Sequence, residues 1–492
     1  MEYYIMFCQC CIFSISHPTL LVLYTLQEPI SFYCSFSAME SLFAICILPI
    51  LYVTVYICKL AFEKRNQTCY MLHYECFKAT EDRKLDVRSS AEIAMRNKNL
   101  GPEEFRFLVR TIVSSGIGEE TYGPKNVLEG REQSPSLLDG YSELDEVIFS
   151  TLDRLFARTG VSPSEIDIIV TTVSLFTSTP SLTARIINHY KMRENTKVYN
   201  LTGMGCSGSI VGIDLVQQLF KSQKKSFAIV VSTECMGQRW YRGKDKSMML
   251  SNVLFRSGGC SMLLTNNTDL KNRAILKLDY LVRTHLGSSD EAYGSCIEVE
   301  DELGYKGVHL SRSLKKVAAE AITMNLKALL PKVLPLWEIL RYIIAYNYGN
   351  RVIKKPNLGI NLKTGIKHFC VHTGGRAIID KVGESLGLNS YDLEPSRMAL
   401  YRFGNTSSAS LWYVLGYMEA KKRLRKGEKI LMISLGAGFK CNNCVWEVMR
   451  NLGDTNIWKG CIDRYPPNIH VNPFMEKLSW VTDECPDFAR LG

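Results

Sequence analysis

A cationic start is missing from this chain: Met1-Glu-Tyr-Tyr-Ile-Met6 leads straight into apolar sequence with no lysine or arginine. A cleaved secretory signal needs a basic first region, so that reading is disfavoured. A regular cysteine framework is missing too. The chain has 17 cysteines in 492 residues, but eight of them fall before residue 80, in or near apolar stretches. Small secreted scaffolds space their cysteines densely, so this pattern fits a reducing compartment with most thiols acting as small buried hydrophobes. The basic residues lack interleaved aromatics, which argues against nucleic acid as a partner although the net charge is +10. That charge suits anionic lipid head groups and acidic substrates such as nucleotide-bearing thioesters. The run Lys421-Lys-Arg-Leu-Arg-Lys426 reads as a solvated helix end.

What the chain has in quantity is hydrophobic sequence, 46% against 22% charged, with 34 glycines and 16 prolines. That is enough for a large core, in two domains or one duplicated one. Residues 41–58 form an uncharged apolar run long enough for a bilayer helix, with Pro49 tolerable inside it. Lys59, Lys64 and Arg65 follow and place the C-terminal side in the cytosol. An earlier run, residues 3–27, carries no full charge but is weakened by His17-Pro18. Two spans would make a hairpin; a start at Met39 would leave one.

From about residue 100 the pattern alternates strands and helices, as in an α/β fold. Helices are expected over 102–113 and 141–159. A repeat then appears. Strand 166–173, a small-residue elbow at 203–208, a helix and strand 226–232 are followed later by strand 367–373, elbow 403–408, helix 409–421 and strand 429–434. Four elements in one order argue for a duplicated unit whose pseudo-twofold axis brings the elbows face to face. Segment 323–365 interrupts the scheme. Its apolar part, 334–346, is too short and too charged to span a bilayer; a plain packed helix, an amphipathic insert near the membrane and a cover over an acyl tunnel all remain open.

The first elbow, Asn200-Leu-Thr-Gly-Met-Gly-Cys206-Ser-Gly-Ser209, sets Cys206 at the start of a helix, where unsatisfied N–H groups and the helix dipole favour thiolate. Such a cysteine is an acyl-accepting nucleophile if a base and an oxyanion site lie nearby. His368 and His372 fall on one face of the strand before Thr373-Gly-Gly-Arg376. A metal reading of this pair lacks a helix and an acidic ligand, and Cys441-Asn-Asn-Cys444 lacks a second pair. Asn405, in the second elbow, is either a helix cap or a carboxamide donor beside a histidine, aimed at a developing enolate oxygen. Ser434-Leu-Gly-Ala-Gly-Phe439 offers backbone N–H groups for a second oxyanion.

Three runs, Asn200-Leu-Thr-Gly-Met-Gly-Cys206-Ser, His368-Phe-Cys-Val-His372-Thr-Gly-Gly-Arg and Arg402-Phe-Gly-Asn405-Thr-Ser-Ser, resemble the plant 3-ketoacyl-CoA synthases, the membrane-bound condensing enzymes of very-long-chain fatty acid elongation. Ser232-Thr-Glu, residues 245–256, Arg283-Thr-His285 and Cys461-Ile-Asp-Arg-Tyr-Pro466 also match, so the similarity spans roughly residues 70–468. The resemblance implies a thiolase-like αβαβα duplicated fold, an acyl-CoA primer, malonyl-CoA as extender, and no redox cofactor or metal. It implies Cys206 as nucleophile, with His372 and Asn405 completing the triad and His285 and His368 as further family histidines. It also implies a homodimer, while the apolar runs and the repeat put a membrane anchor over 1–62 and halves over 63–270 and 271–492. The expected location is the endoplasmic reticulum membrane, with the catalytic part in the cytosol beside elongase reductases and a dehydratase. Tyr401 departs from the pattern, standing where members carry histidine; Ser257 and Cys260 depart as well. A type III polyketide synthase and a non-catalytic elongase scaffold are the competing readings.

Overall fold

Nine strands hydrogen-bond in the order β3 (Lys197–Leu201), β2 (Ile166–Thr172), β4 (Phe227–Thr233), β5 (Gly259–Thr265), β1 (Tyr70–Cys76), β6 (Leu276–His285), β11 (Lys440–Val448), β10 (Lys429–Gly436) and β9 (His368–Val371). The computed structural model describes residues 68–352, 359–468 and 472–482, with positions 51 and 54, and the fold is that of the compact unit Lys64–Gly492. The apolar runs at 3–27 and 41–58 lie outside the described residues, apart from Leu51 and Thr54. Among the described residues, no helix is long and apolar enough to cross a membrane.

The pairing pattern repeats. In the first half β1 (Tyr70–Cys76) pairs antiparallel with β5 (Gly259–Thr265), and β5 antiparallel with β4 (Phe227–Thr233). Strand β4 then runs parallel to β2 (Ile166–Thr172), with β3 (Lys197–Leu201) at the edge. In the second half β6 (Leu276–His285) pairs antiparallel with β11 (Lys440–Val448), and β11 antiparallel with β10 (Lys429–Gly436). Strand β10 runs parallel to β9 (His368–Val371). The same sequence of pairings occurs twice, joined where β1 meets β6. Strands β7 (Cys296–Glu300) and β8 (Lys306–Leu310) form a separate hairpin.

Strand alternation builds the layers. Ile168 and Val170 of β2, and Ile430 and Met432 of β10, share one core with Ile210 and Ile213 of a helix at Gly208–Phe220 and with Trp412 and Leu415 of a helix at Ser410–Ala420. The alternate side chains face outward. Ile169 and Ile229 meet Leu144 and Leu152 on one side, while Leu431 and Ile433 meet Ile322 and Ile379 on the other. Every residue of Ser410–Ala420 is buried, as a helix packed between the two halves of the sheet requires. The result is the αβαβα layering that the resemblance implies.

Cap chemistry corrects one boundary. The helix expected from residue 141 begins at Leu137, because the Ser136 hydroxyl accepts the Asp139 N–H at 3.1 Å and the Asp139 carboxylate accepts the Ser136 N–H at 2.8 Å. It ends at Gly160, in left-handed conformation at φ 68°. Segment 323–365 contains two helices, Leu314–Val333 reaching into it and Leu336–Val352 following.

Candidate active site

The two elbows meet. Ser209 Oγ donates to the Ser408 carbonyl at 2.7 Å, and Thr172 and Ser408 hydroxyls lie 3.4 Å apart, so the first elbow and the second share one buried polar seam. Cys206 sits in a 3-10 turn, Gly205–Ser207, just ahead of the helix Gly208–Phe220, rather than in that helix's own first turn. Gly205 allows this at φ 61°: a Cβ there would lie 2.6 Å from the Ala437 backbone nitrogen. The turn between β10 and β11 at Ala437 therefore presses its backbone against the cysteine elbow.

Asn405 is held by backbone on both sides. Its N–H donates to the Leu254 carbonyl at 3.0 Å, and its own carbonyl accepts the Arg256 N–H at 2.9 Å. Gly404 (φ 70°) makes the turn, since a Cβ would sit 2.3 Å from Arg256 Cγ. Asn405 Oδ1 accepts the Ser407 N–H at 2.9 Å, an arrangement that also explains why the residue reads as a cap. With its oxygen engaged, the carboxamide keeps its N–H donors for another partner.

Ser407 links the halves. Its hydroxyl lies 3.7 Å from Cys206 Sγ and 3.1 Å from Glu234 Oε1, donating to either. Glu234 is buried; Oε2 accepts the Ser174 and Leu175 N–H groups at 2.9 and 3.0 Å, and burial raises its pKa. The Ser174 hydroxyl in turn accepts the Gly205 N–H at 2.9 Å. Burial pushes the Cys206 thiol up to about 12, reinforced by Cys296 and Glu234 and opposed by the Ser407 hydroxyl. The expected thiolate is thus corrected: desolvation outweighs the helix start, and the resting group is a thiol.

His372 follows β9 and is buried. Its Nδ1 lies 2.7 Å from Ser410 Oγ, and a Cβ on Gly374 would sit 3.3 Å from Nε2. Burial lowers its pKa to about 4, so the ring is neutral at physiological pH. When Nδ1 accepts the Ser410 proton, Nε2 carries the hydrogen and can donate. Ser410 stands five residues beyond Asn405, so the segment that positions the carboxamide also engages the ring; when Nδ1 donates to Ser410 instead, Nε2 is free to take a proton.

His285 and His368 are not drawn into this cluster. His285 is exposed at the end of β6, its Nδ1 accepting the Gly287 N–H at 2.9 Å. Burial and the cations Lys440 and Arg283 lower its pKa. It pairs in register with Lys440, whose Nζ donates to the Ala437 carbonyl, and so marks the rim of the site. His368 begins β9, about 13 Å of strand from His372, and binds Glu428 at 2.8 Å. Glu428 engages its ring at that end of the strand. Cys441 and Cys444 enter cores on opposite faces of their sheet and cannot chelate one ion.

Sequence reasoning missed Glu234, Ser407, Ser410, Cys296 and Lys440. Ser407, at φ 54°, lies inside a motif given above and Ser410 in the expected helix 409–421, but nothing in their spacing gives the direction of a hydroxyl. Tyr401 lies outside the site. Its carbonyl accepts the Gly118 N–H at 2.9 Å, and its ring packs so closely on Gly118 that a Cβ there would come within 2.7 Å.

Comparison with known proteins agrees with this geometry. The profile of the FAE1/Type III polyketide synthase-like proteins matches residues 61–350, and that of the 3-Oxoacyl-[acyl-carrier-protein (ACP)] synthase III C terminal matches 361–448. The chain is 58% identical to 3-ketoacyl-CoA synthase 19 of Arabidopsis thaliana, over 92% of this chain and 99% of that relative. It is 52% identical to 3-ketoacyl-CoA synthase 3 of the same plant, over 86% and 92%. Among solved structures, the C-terminal type III polyketide synthase domain of Steely1, a type I/III hybrid from Dictyostelium, shares the fold with a TM-score of 0.62 at 16% identity, covering 78% of this chain and 99% of that one. CsyB complexed with CoA-SH gives a TM-score of 0.62 at 17% identity, covering 77% and 100%. With a duplicated α/β fold, a cysteine elbow facing an asparagine elbow, and these identities over nearly the whole length, the chain belongs to the 3-ketoacyl-CoA synthase family.

Proposed function

We propose that this protein catalyses the decarboxylative condensation of malonyl-CoA with a long-chain acyl-CoA, forming a 3-ketoacyl-CoA two carbons longer. The observation that carries the reading is the bonded path Cys206–Ser407–Asn405, which sets a nucleophile from one half beside a carboxamide from the other.

In the first step, Cys206 attacks the acyl-CoA carbonyl; neutral His372 takes the thiol proton and returns it to the departing CoA thiolate. The acyl chain now rests on sulfur. Malonyl-CoA then loses carbon dioxide, and the enolate left behind is held by the N–H donors of His372 and Asn405. Its carbon attacks the Cys206 thioester, whose oxyanion is held by backbone N–H groups of the elbow and of the loop at Ala437. The C–S bond breaks, 3-ketoacyl-CoA leaves, and the thiolate regains a proton. An apolar cavity lined by Ile93, Leu108, Ile112, Val253 and Phe474 suits a hydrocarbon tail; its wall at Val253 and Arg256 flanks the Leu254 carbonyl that holds Asn405.

Residues 41–58 would anchor the chain in the endoplasmic reticulum membrane, with the catalytic part in the cytosol and accessible to elongase reductases and a dehydratase. The edge strand β3 leaves Val198 exposed and offers a pairing edge for a homodimer.

The test is incubation of the full chain with labelled malonyl-CoA and a saturated long-chain acyl-CoA. A single extension with one carbon dioxide released per product supports the proposal. Repeated extension to a cyclised polyketide would favour the polyketide synthase reading, and failure to acylate Cys206 would favour the scaffold.

A further inference from the structure

The helix Leu336–Val352 is built inside out. Leu336, Trp337, Leu340, Ile343 and Ile344 are exposed at 52%, 58%, 49%, 46% and 58%. At 100° per residue these positions fall within an arc of about 120°, one continuous stripe. The opposite side holds the polar anchor. Glu338 is 1% exposed, receives Arg341 Nε at 2.7 Å and Nη2 at 2.6 Å, and accepts the Asn361 N–H at 2.6 Å. Arg341 Nη2 also donates to the Gly359 carbonyl at 2.9 Å. A helix facing water would turn these faces the other way, so the apolar stripe is held outward by specific bonds rather than left bare by loose packing.

The sequence that follows Glu338 is basic. Residues 339–379 contain no aspartate or glutamate but have seven basic residues: Arg341, Arg351, Lys354, Lys355, Lys363, Lys367 and Arg376. Three of these are paired, Arg341 with Glu338, Lys363 with Asp392 and Arg376 with Asp380. Arg351, Lys354 and Lys355 directly follow the apolar stretch in sequence, and Lys332 lies exposed at the end of the preceding helix, Leu314–Val333. Five half-exposed side chains present on the order of 400 Å² of apolar surface, whereas a standard protein interface buries about 800 Å² per partner. A bilayer needs no shape-matched partner, and basic flanks beside an apolar face with tryptophan are what an anionic leaflet attracts.

We infer that this helix lies in the head-group region of an anionic membrane, with Leu336, Trp337, Leu340, Ile343 and Ile344 inserted, and forms a lipid contact separate from the N-terminal apolar run. The contact requires neither condensing activity nor that run.

The full chain is reconstituted in vesicles of phosphatidylcholine and phosphatidylserine, with or without brominated acyl chains, and Trp337 emission is taken as the difference between parent and Trp337→Phe. We expect bromination to quench that emission about twofold, and a Leu340→Glu, Ile344→Glu double variant to abolish the quenching. Both changes are at exposed positions, and circular dichroism checks that the fold is kept. Equal Trp337 emission in brominated and ordinary lipid would overturn the inference. So would quenching that persists in the double variant, or sedimentation showing that this variant splits a dimer, since the face would then pair two copies. Alkaline carbonate extraction reads the N-terminal run independently.

Discussion

The Ser407 hydroxyl stands between Cys206 Sγ, at 3.7 Å, and Glu234 Oε1, at 3.1 Å, and has one proton to give. Burial raises the Glu234 pKa, and its carboxyl competes with the sulfur for the serine proton. The seam between the halves therefore regulates how readily the nucleophile ionises.

Ser407→Ala removes this donor. Alkylation of Cys206 by iodoacetamide, and condensation with it, is expected to slow about tenfold, the loss of roughly 1.4 kcal/mol of hydrogen bonding to a developing thiolate. An alkylation rate within twofold of the parent would show that the bond does not support ionisation.

The thiol, held near 12, has no plateau in reach of ordinary assays. Alkylation of the resting enzyme should rise about tenfold per pH unit from pH 8 to 10. A plateau beginning near pH 7 would reveal a pre-formed thiolate and contradict the electrostatics described. Cys206→Ser should lower malonyl-dependent condensation by about 1,000-fold or more.

His372 makes stability pH-dependent with a definite sign. Its folded pKa of about 4 lies below the ordinary 6.5, so between these values the unfolded chain binds a proton that the native site refuses. Its contribution is fully present above pH 6.5 and is lost as pH falls towards 4, amounting to about 2 kcal/mol by pH 5. Urea unfolding at pH 7 and pH 5, compared between the parent and His372→Asn, measures it; an equal pH response in both would exclude the histidine as the source.

Gly205→Ala places a Cβ against the Ala437 nitrogen at a positive φ and is expected to destabilise by about 2 kcal/mol or more while displacing the loop 434–439. Activity should fall further than stability does. His368→Gln supplies the contrast: it weakens the bond to Glu428 and should cost about 1 kcal/mol with kcat within twofold of the parent. A large kcat loss in that variant would return His368 to the reaction.

Much of this site was legible because its parts are local. The glycines around Cys206, the elbow before Asn405 and the strand before His372 each announce a turn beside a regular element, and the repeat tells which elbows face each other. The helix at Leu137–Thr159 began four residues earlier than apolar spacing suggested, because the Ser136–Asp139 cap, not the apolar period, sets the start. Alternation and spacing put His368 and His372 at the two ends of one strand, but only the fold shows that Glu428 meets the ring of His368.

By itself the sequence determined the alternation of strands and helices, the duplication, and the two elbows that carry Cys206 and Asn405, since all of these are written in local periodicity and turn-forming residues. Tertiary structure alone decided the protonation of the nucleophile, the bonds of Ser407, Glu234 and Ser410, and the outward apolar face of Leu336–Val352. Desolvation and hydroxyl direction depend on which atoms from distant segments close around a group, and no spacing along the chain encodes that enclosure.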